Sequence, residues 1–241
     1  MLAIRALFLV SGAIIGVFYP FLSAILAVRG FTPAEIGLAS ALASLAFMLF
    51  VPFWGHLADV VVGRVAALRI GVIGSTVAVL GLLLDVPPPV VIVLIVAYAG
   101  FESSMPPLAD ALAVNALSRA PRSYARVRLL TSLGFAGSSI LAGRLYDETG
   151  FWPAPLLWAA AAVVLVVILH WVPDVARFRV SGGSMTGGPG APTAPASRPR
   201  GGSFVVALRA EPRLRGLLLA LGLVHIGMIA GFTFLPLRLL A

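Results

Sequence analysis

The 241-residue chain contains no cysteine and no lysine. Without cysteine there is no disulfide framework, no thiolate zinc site and no Cys nucleophile. Without lysine, all 17 basic residues are arginines, a bias that high-GC codon usage explains. Charge of either sign is scarce: charged residues make up 11% of the chain, against roughly 25% in a soluble domain. So few charges cannot cover a soluble surface. No HExxH, no GxSxG and no paired catalytic motif occurs, so no enzyme, catalytic residue, metal site or cofactor is expected. No cleavable signal is expected either. The apolar segment from Leu7 onward is too long for a signal core, and no small-residue cleavage site leads into a soluble domain.

What remains is apolar. Hydrophobic residues make up 60% of the chain and the mean hydropathy is +1.06. A membrane span needs about 20 residues, and seven apolar segments of that order can be read. They cover residues 2–28, 33–54, 66–84, 90–117, 124–146, 153–172 and 214–237. Thr32 and Glu35 form a capping-box pair at the start of the second, with Pro33 at its first helical position. A polar hairpin is expected from 55 to 64, and Asp85 with Pro87, Pro88 and Pro89 breaks the chain after the third span. Residues 181–203 are rich in Gly, Pro, Ser, Ala and Thr, the composition of a flexible linker.

A net charge of +8 and a pI near 11.4 would suit a nucleic-acid partner, but the arginines sit at span ends and in loops. That is the positive-inside pattern of a membrane protein, so the expected surroundings are a lipid bilayer and no nucleic acid. With the N-terminus cytoplasmic, the inner loops hold Arg5, Arg64, Arg69, Arg119, Arg122, Arg126, Arg128 and the linker arginines, and the outer side holds Arg29, Arg144 and Arg238. Trp54, Trp152, Trp158 and Trp171 are expected as interfacial anchors. The first and seventh spans share an Arg-to-Gly spacing, Arg5 to Gly12 and Arg215 to Gly222. A duplicated six-span unit would show this at the start of its second copy; chance similarity between two apolar helices would show it too.

Ionisable groups inside the membrane are costly and call for a reason. Glu102 and Asp110 lie within the fourth span and Arg128 within the fifth. One tight turn separates the two spans, so Asp110 and Arg128 can pair across antiparallel neighbours. Such a pair either staples two helices or offers a donor and an acceptor to a solute in a central cavity. Glu102 has no local partner. It is either a proton carrier or a hydrogen-bonded residue beside Ser103 and Ser104. Tyr19-Pro20, in mid-span, makes a cavity-lining kink or a packing bend.

Several of these segments together resemble a known family. Gly55-His56-Leu57-Ala58-Asp59, with Arg64 five residues after the Asp, is similar to the loop signature between the second and third spans of the major facilitator superfamily. Val60 and Val62 stand where that signature has a basic residue and a Gly, and Gly63 comes one late. Pro107-Leu108-Ala109-Asp110, Tyr124-Ala125-Arg126-Val127-Arg128 and Ser132-Leu133-Gly134-Phe135 resemble the fourth and fifth spans of the lactose permease and phenylpropionate permease branch. Phe18-Tyr19-Pro20-Phe21, Pro33-Ala34-Glu35-Ile36-Gly37 and Pro52-Phe53-Trp54-Gly55 fit the same branch, and the resemblance covers residues 5 to 172.

The resemblance implies an all-α membrane protein. Residues 1–173 would form the N-terminal six-helix bundle of the major facilitator fold, 174–213 a cytoplasmic central linker, and 214–241 a seventh transmembrane helix opening a truncated second bundle. It implies a secondary-active carrier of a small organic solute, coupled to protons by family analogy, in the bacterial inner membrane. The missing C-terminal half would be supplied in cis or in trans. Asp110 and Arg128 would bind the solute, Phe135 would stack on it and Tyr19 would line its site. Glu102 is the candidate for proton coupling, and Gly55, Asp59 and Arg64 for gating. An efflux carrier of the same superfamily and a non-transporting fragment or accessory subunit are the competing readings.

Overall fold

In a computed structural model the chain is described over residues 2–117, 122–172 and residue 216. The linker at 174–213, the seventh span and its repeat with the first lie outside the described residues, Gly216 apart. The described residues are helical throughout, with no strand among them.

Six antiparallel passes form one bundle. The first is α1 (Leu2–Phe18), a single 3-10 turn (Tyr19–Phe21) and α2 (Leu22–Val28). Pro20 has no N–H to give the carbonyl four residues back, which frees the Gly16 oxygen. Ser139 Oγ donates to that oxygen at 3.0 Å, and Tyr146 OH donates to the Val17 oxygen at 2.6 Å. A break in one span is thus satisfied by side chains of another, as hydrocarbon surroundings require.

The second pass is α3 (Pro33–His56). The expected capping box is present: Thr32 N–H donates to Glu35 at 2.8 Å, and Glu35 N–H donates to Thr32 Oγ1 at 3.3 Å. The expected polar hairpin at 55–64 is not a loop. The α-helix runs through Gly55 to His56 and continues as a π-helix over Leu57–Val62. Only Gly63 breaks it, with φ +87°, a left-handed value that a side chain would strain. The third pass, α4 (Arg64–Gly81), starts at once and ends three residues short of the expected boundary.

The fourth pass is two helices, α5 (Pro88–Glu102) and α6 (Met105–Ala116), where hydropathy suggested one. Pro106 and Pro107 cannot donate to the carbonyls of Glu102 and Ser103, and their rings crowd those oxygens, so the helix stops and restarts at Ser103–Ser104. Across the break, Gly71 and Gly74 of α4 leave room for Ser104 and the Phe101 ring. A Cβ on Gly71 would lie 1.9 Å from Ser104 Oγ, and one on Gly74 would lie 2.4 Å from the Phe101 ring. The fifth and sixth passes are α7 (Arg122–Thr149) and α8 (Ala154–Ile168).

Four of the passes, Leu2–Val28, Pro33–Val62, Arg64–Gly81 and Pro88–Ala116, are long and apolar enough to cross a membrane. The fifth is long enough, at about 42 Å for 28 residues, but its arginines lower its hydropathy. The sixth is apolar and 15 residues long.

The packing centre is α1 against α7. A Cβ on Gly12 would sit 2.0 Å from the Thr131 carbonyl oxygen, and one on Gly134 would sit 2.0 Å from the Leu9 carbonyl oxygen. Small residues here let the two backbones touch, the usual basis of helix association in lipid. Two of the four tryptophans are not interfacial anchors. Trp54 is buried and donates Nε1–H to the Gly100 oxygen at 2.7 Å. Trp158 is fully buried against Phe18 and Tyr98, with ring centroids 5.7 and 5.1 Å away in edge-on geometry. Trp152 and Trp171 are exposed, as anchors are.

Candidate functional site

The α5–α6 break and the α1–α7 crossing together determine where the charged side chains fall. Restarting at Met105, α6 turns Asp110 toward α7, and the close α1–α7 approach sets Arg128 beside it. Arg128 Nη1 donates to Asp110 Oδ2 at 2.5 Å. The same nitrogen donates to Tyr124 OH at 3.1 Å. Tyr124 did not figure among the expected site residues. Its signal was present in the sequence: it stands four residues before Arg128, one helical turn away on the same face.

The pair opens on a cavity of about 210 Å³ between α1, α6 and α7. Phe8, Ile15, Met105, Pro106 and Ala109 make its apolar wall, and Ser11, Thr131 and Ser132 add hydroxyls. Ser11 is 6% exposed, and its Oγ is buried without a hydrogen-bond partner. A buried hydroxyl left unpaired costs about 1–3 kcal/mol, so its presence on this wall is informative. Neither member of the ion pair is sealed in: the Arg128 side chain is 60% exposed and that of Asp110 33%.

The other expected residues form two further groups. Glu102, at the end of α5, is buried and lies within electrostatic reach of Tyr19 on the 3-10 turn and of Tyr98 one turn back on its own helix. The 3-10 turn of the first pass thus lies within electrostatic reach of the carboxyl group at the break of the fourth. Asp110 stands eight residues beyond Glu102, about 12 Å along a helix axis. Phe135 lies seven residues beyond Arg128, within about 20° of it around α7 at 100° per residue. Neither Phe135 nor Tyr19 belongs to the wall of the 210 Å³ cavity.

Asp59 and Arg64 meet at the end of the bundle that carries the π-helix. Arg64 Nε and Nη2 each donate to Asp59 Oδ1 at 3.1 Å, across the Gly63 break. Gly55 lies inside α3, and a Cβ there would meet nothing within 4 Å. No cluster of three or more potential metal ligands occurs among the described residues.

The fold has a solved counterpart. The crystal structure of the nucleoside transporter NupG (D323A mutant) superposes with a TM-score of 0.69 at 16% identity, over 97% of this chain and 57% of that one. At this identity the likeness speaks for the fold. In sequence, the uncharacterized transporter YwbF of Bacillus subtilis (strain 168) is 26% identical over 117 residues, 48% of this chain and 29% of that protein. The chain thus spans little more than half the solved relative, and its matched stretch less than a third of the Bacillus protein. The MFS_1 like family model matches residues 1–239. With an all-helical bundle of apolar spans in the major facilitator fold, this integral membrane chain belongs to the MFS_1 like family.

Proposed function

We propose that the chain is the six-helix bundle and following segment of a secondary-active carrier for a small organic solute, with Asp110 and Arg128 at its binding site. The single observation that supports this best is the placement of the pair. Two opposite charges meet at 2.5 Å on the wall of a mostly apolar cavity, with both side chains partly open to it. A pair serving only to staple two helices gains nothing from being left open. In a half-wet cavity it offers a donor and an acceptor to a solute at the membrane midplane.

The motifs shared with the lactose permease and phenylpropionate permease branch support the same reading, as does the transporter named among the solved relatives. In this fold two six-helix halves rock about a site between them. The open face of the cavity then meets a second bundle, supplied in cis or in trans. Phe135 follows Arg128 along the same face of α7 and stacks on the solute, while Tyr19 closes its far end. Glu102, beside Tyr19, carries the coupling proton. The Asp59–Arg64 clamp opens and closes at the cytoplasmic end, on the Gly55 side of the bundle. The N-terminus lies in the cytoplasm, and the protein resides in the bacterial inner membrane.

The test is uptake of labelled solutes by cells expressing the gene in its native chromosomal context. The panel holds a nucleoside, a disaccharide and an aromatic acid. Asp110→Asn and Arg128→Ala should each lower uptake of the accepted solute at least ~10-fold, the loss expected on removing one charged hydrogen-bond partner, with unchanged protein in the membrane. Uptake that survives both substitutions would overturn the assignment.

A further inference from the structure

The end of the bundle opposite the Asp59–Arg64 joint carries a second cavity, of about 660 Å³. It lies between two turns, the one from α2 to α3 and the one from α4 to α5. The spans beside it end at Val28 and Gly81 and begin at Pro33 and Pro88, so the cavity sits where the membrane meets water. None of its lining residues belongs to the cavity beside Asp110 and Arg128.

Two opposite charges face this space. Arg29 and Asp85 both line it, both are exposed, and no ion pair joins them among the described residues. Arg29 spends Nη2 on the carbonyl oxygen of Leu82, the residue that ends α4. That bond ties the two turns together and fixes the guanidinium at the cavity. Its Nε and Nη1 make no bond among the described residues. Asp85 caps no helix: Pro87 is the N-cap of α5, and no side-chain hydrogen bond is made there. The rest of the wall is largely apolar. Phe31 and Val91 are buried in it, whereas Leu83 and Leu84 are 45% and 63% exposed.

A ligand that completes this site has an anionic group, a cationic donor and an apolar continuation. At the level of the lipid headgroups, a phospholipid with an ethanolamine head has all three. Its phosphate suits the free donors of Arg29, its ammonium N–H groups suit the Asp85 carboxylate, and its acyl chains cover the exposed leucines. We propose that this cavity binds the headgroup of phosphatidylethanolamine, with the phosphate on Arg29 and the ammonium on Asp85. Asp85 sets the selectivity. It attracts the ethanolamine head and repels a purely anionic head such as that of phosphatidylglycerol. The quaternary nitrogen of phosphatidylcholine has no N–H to give it.

The experiment is native mass spectrometry of the delipidated protein, purified from cells expressing the full native gene. Phosphatidylethanolamine, phosphatidylglycerol and phosphatidylcholine with identical chains are added in turn. Expected is a phosphatidylethanolamine adduct about five-fold tighter than either other lipid, the scale of a partly exposed charge interaction. Asp85→Asn should weaken that adduct about two- to five-fold and leave phosphatidylglycerol as tight or tighter. Arg29→Gln should weaken all three about 10-fold, the loss of a charged phosphate contact. Arg29→Gln also removes the tie to Leu82; Asp85→Asn breaks no bond and carries the test where the arginine variant fails to fold. Equal binding of the three lipids would overturn the proposal, as would a phosphatidylethanolamine preference that survives Asp85→Asn unchanged. Free O-phosphoethanolamine supplies the last arm. Displacement of the lipid only at far higher concentration supports the bilayer as the source of the group; binding of the free compound as tight as that of the lipid would overturn it in favour of a soluble zwitterion.

Discussion

Among the described residues two Asp–Arg pairs stand on this bundle, and they are built differently. Arg64 turns its Nε–Nη2 edge onto Asp59, five residues away across a one-glycine break, and leaves no fork for anything else. Arg128 meets Asp110, 18 residues away on another helix, through Nη1 alone and keeps that edge vacant. Exposure is reversed as well. The Arg64 side chain is 23% exposed and its acid 58%; the Arg128 side chain is 60% exposed and its acid 33%. In the first pair the cation is tucked in and the acid reaches out, an arrangement that closes a local joint. In the second the cation reaches out with its Nε–Nη2 edge unspent, as the proposed solute site requires. Composition alone, one Asp and one Arg in each, makes the two look alike.

The largest effect should come from separating the scaffolds of the two pairs. The cavity pair depends on the α1–α7 crossing, because α1 supplies Phe8, Ser11 and Ile15 to the same wall that holds Arg128. Gly12→Val would drive a side chain into the Thr131 carbonyl, 2.0 Å from where its Cβ must lie. Backbone cannot give way as a flexible side chain can, so a cost of ~3 kcal/mol or more is expected. The measurement is thermal unfolding of the purified protein in detergent, together with its yield in the membrane. Gly137→Ala is the control. No atom lies within 4 Å of a Cβ there, and the helix should gain up to about 1 kcal/mol. Equal behaviour of the two variants would mean that α1 and α7 do not touch as described.

The glycines of α7 also show what sequence could and could not supply. Gly134 and Gly137 look equivalent as small residues on a membrane helix, yet only Gly134 lies against a neighbouring backbone. Which face of α7 meets α1 is a long-range fact with no local signal. Hydropathy has the same limit. The first and second passes have equal mean hydropathy, 2.1, but 56% of one window is buried inside the bundle and 17% of the other. Apolar character places a helix in the membrane and does not say what it packs against. Trp158 went from expected anchor to core for that reason.

Features written in short patterns fared better. The Thr32–Glu35 box, the Pro33 start and the Asp110–Arg128 pairing were all legible. The α5–α6 break was written in Pro106 and Pro107, but a hydropathy window averages across it. The π-helix at Leu57–Val62 carries Asp59 within an otherwise apolar run, so composition does not separate it from the expected hairpin. Glu102 was legible as a buried acid. That Tyr19 lies within its electrostatic reach was not, because this depends on how the first and fourth passes pack.

A smaller effect should sharpen what holds the cavity pair in place. Tyr124 OH is the second acceptor on Arg128 Nη1, at 3.1 Å. It does not line the cavity, so its role is to position the guanidinium. Tyr124→Phe keeps the ring and removes the hydroxyl. One neutral-acceptor hydrogen bond is worth about 1 kcal/mol net, so KM for the accepted solute should rise about 5-fold with kcat nearly unchanged. Among the described residues no hydroxyl bonds Arg64 in this way, so the other pair offers no equivalent substitution. A fall in kcat at constant KM would show that the tyrosine acts on the transport step and does not position the arginine.

The smallest effect belongs to the joint itself. Asp59 is more than half exposed, and exposed ion pairs are typically worth about 0–1 kcal/mol. Asp59→Asn should therefore lower stability by less than about 1 kcal/mol, and salt should erase most of the difference, since screening acts on exposed charges. Thermal unfolding of the variant and the parent protein at low and high ionic strength measures both. Arg64→Lys should be tolerated to the same degree, because both Arg64 nitrogens contact a single oxygen and one ammonium contact replaces much of that. The contrast with Arg128→Lys is the point of the comparison. A cation whose fork grips a single oxygen is replaceable by a point charge; a cation whose fork is to meet a solute, as proposed for Arg128, is not. If Arg64→Lys lowered uptake as far as Arg128→Lys, the two pairs would share one role, and the vacant edge of Arg128 would lose its meaning.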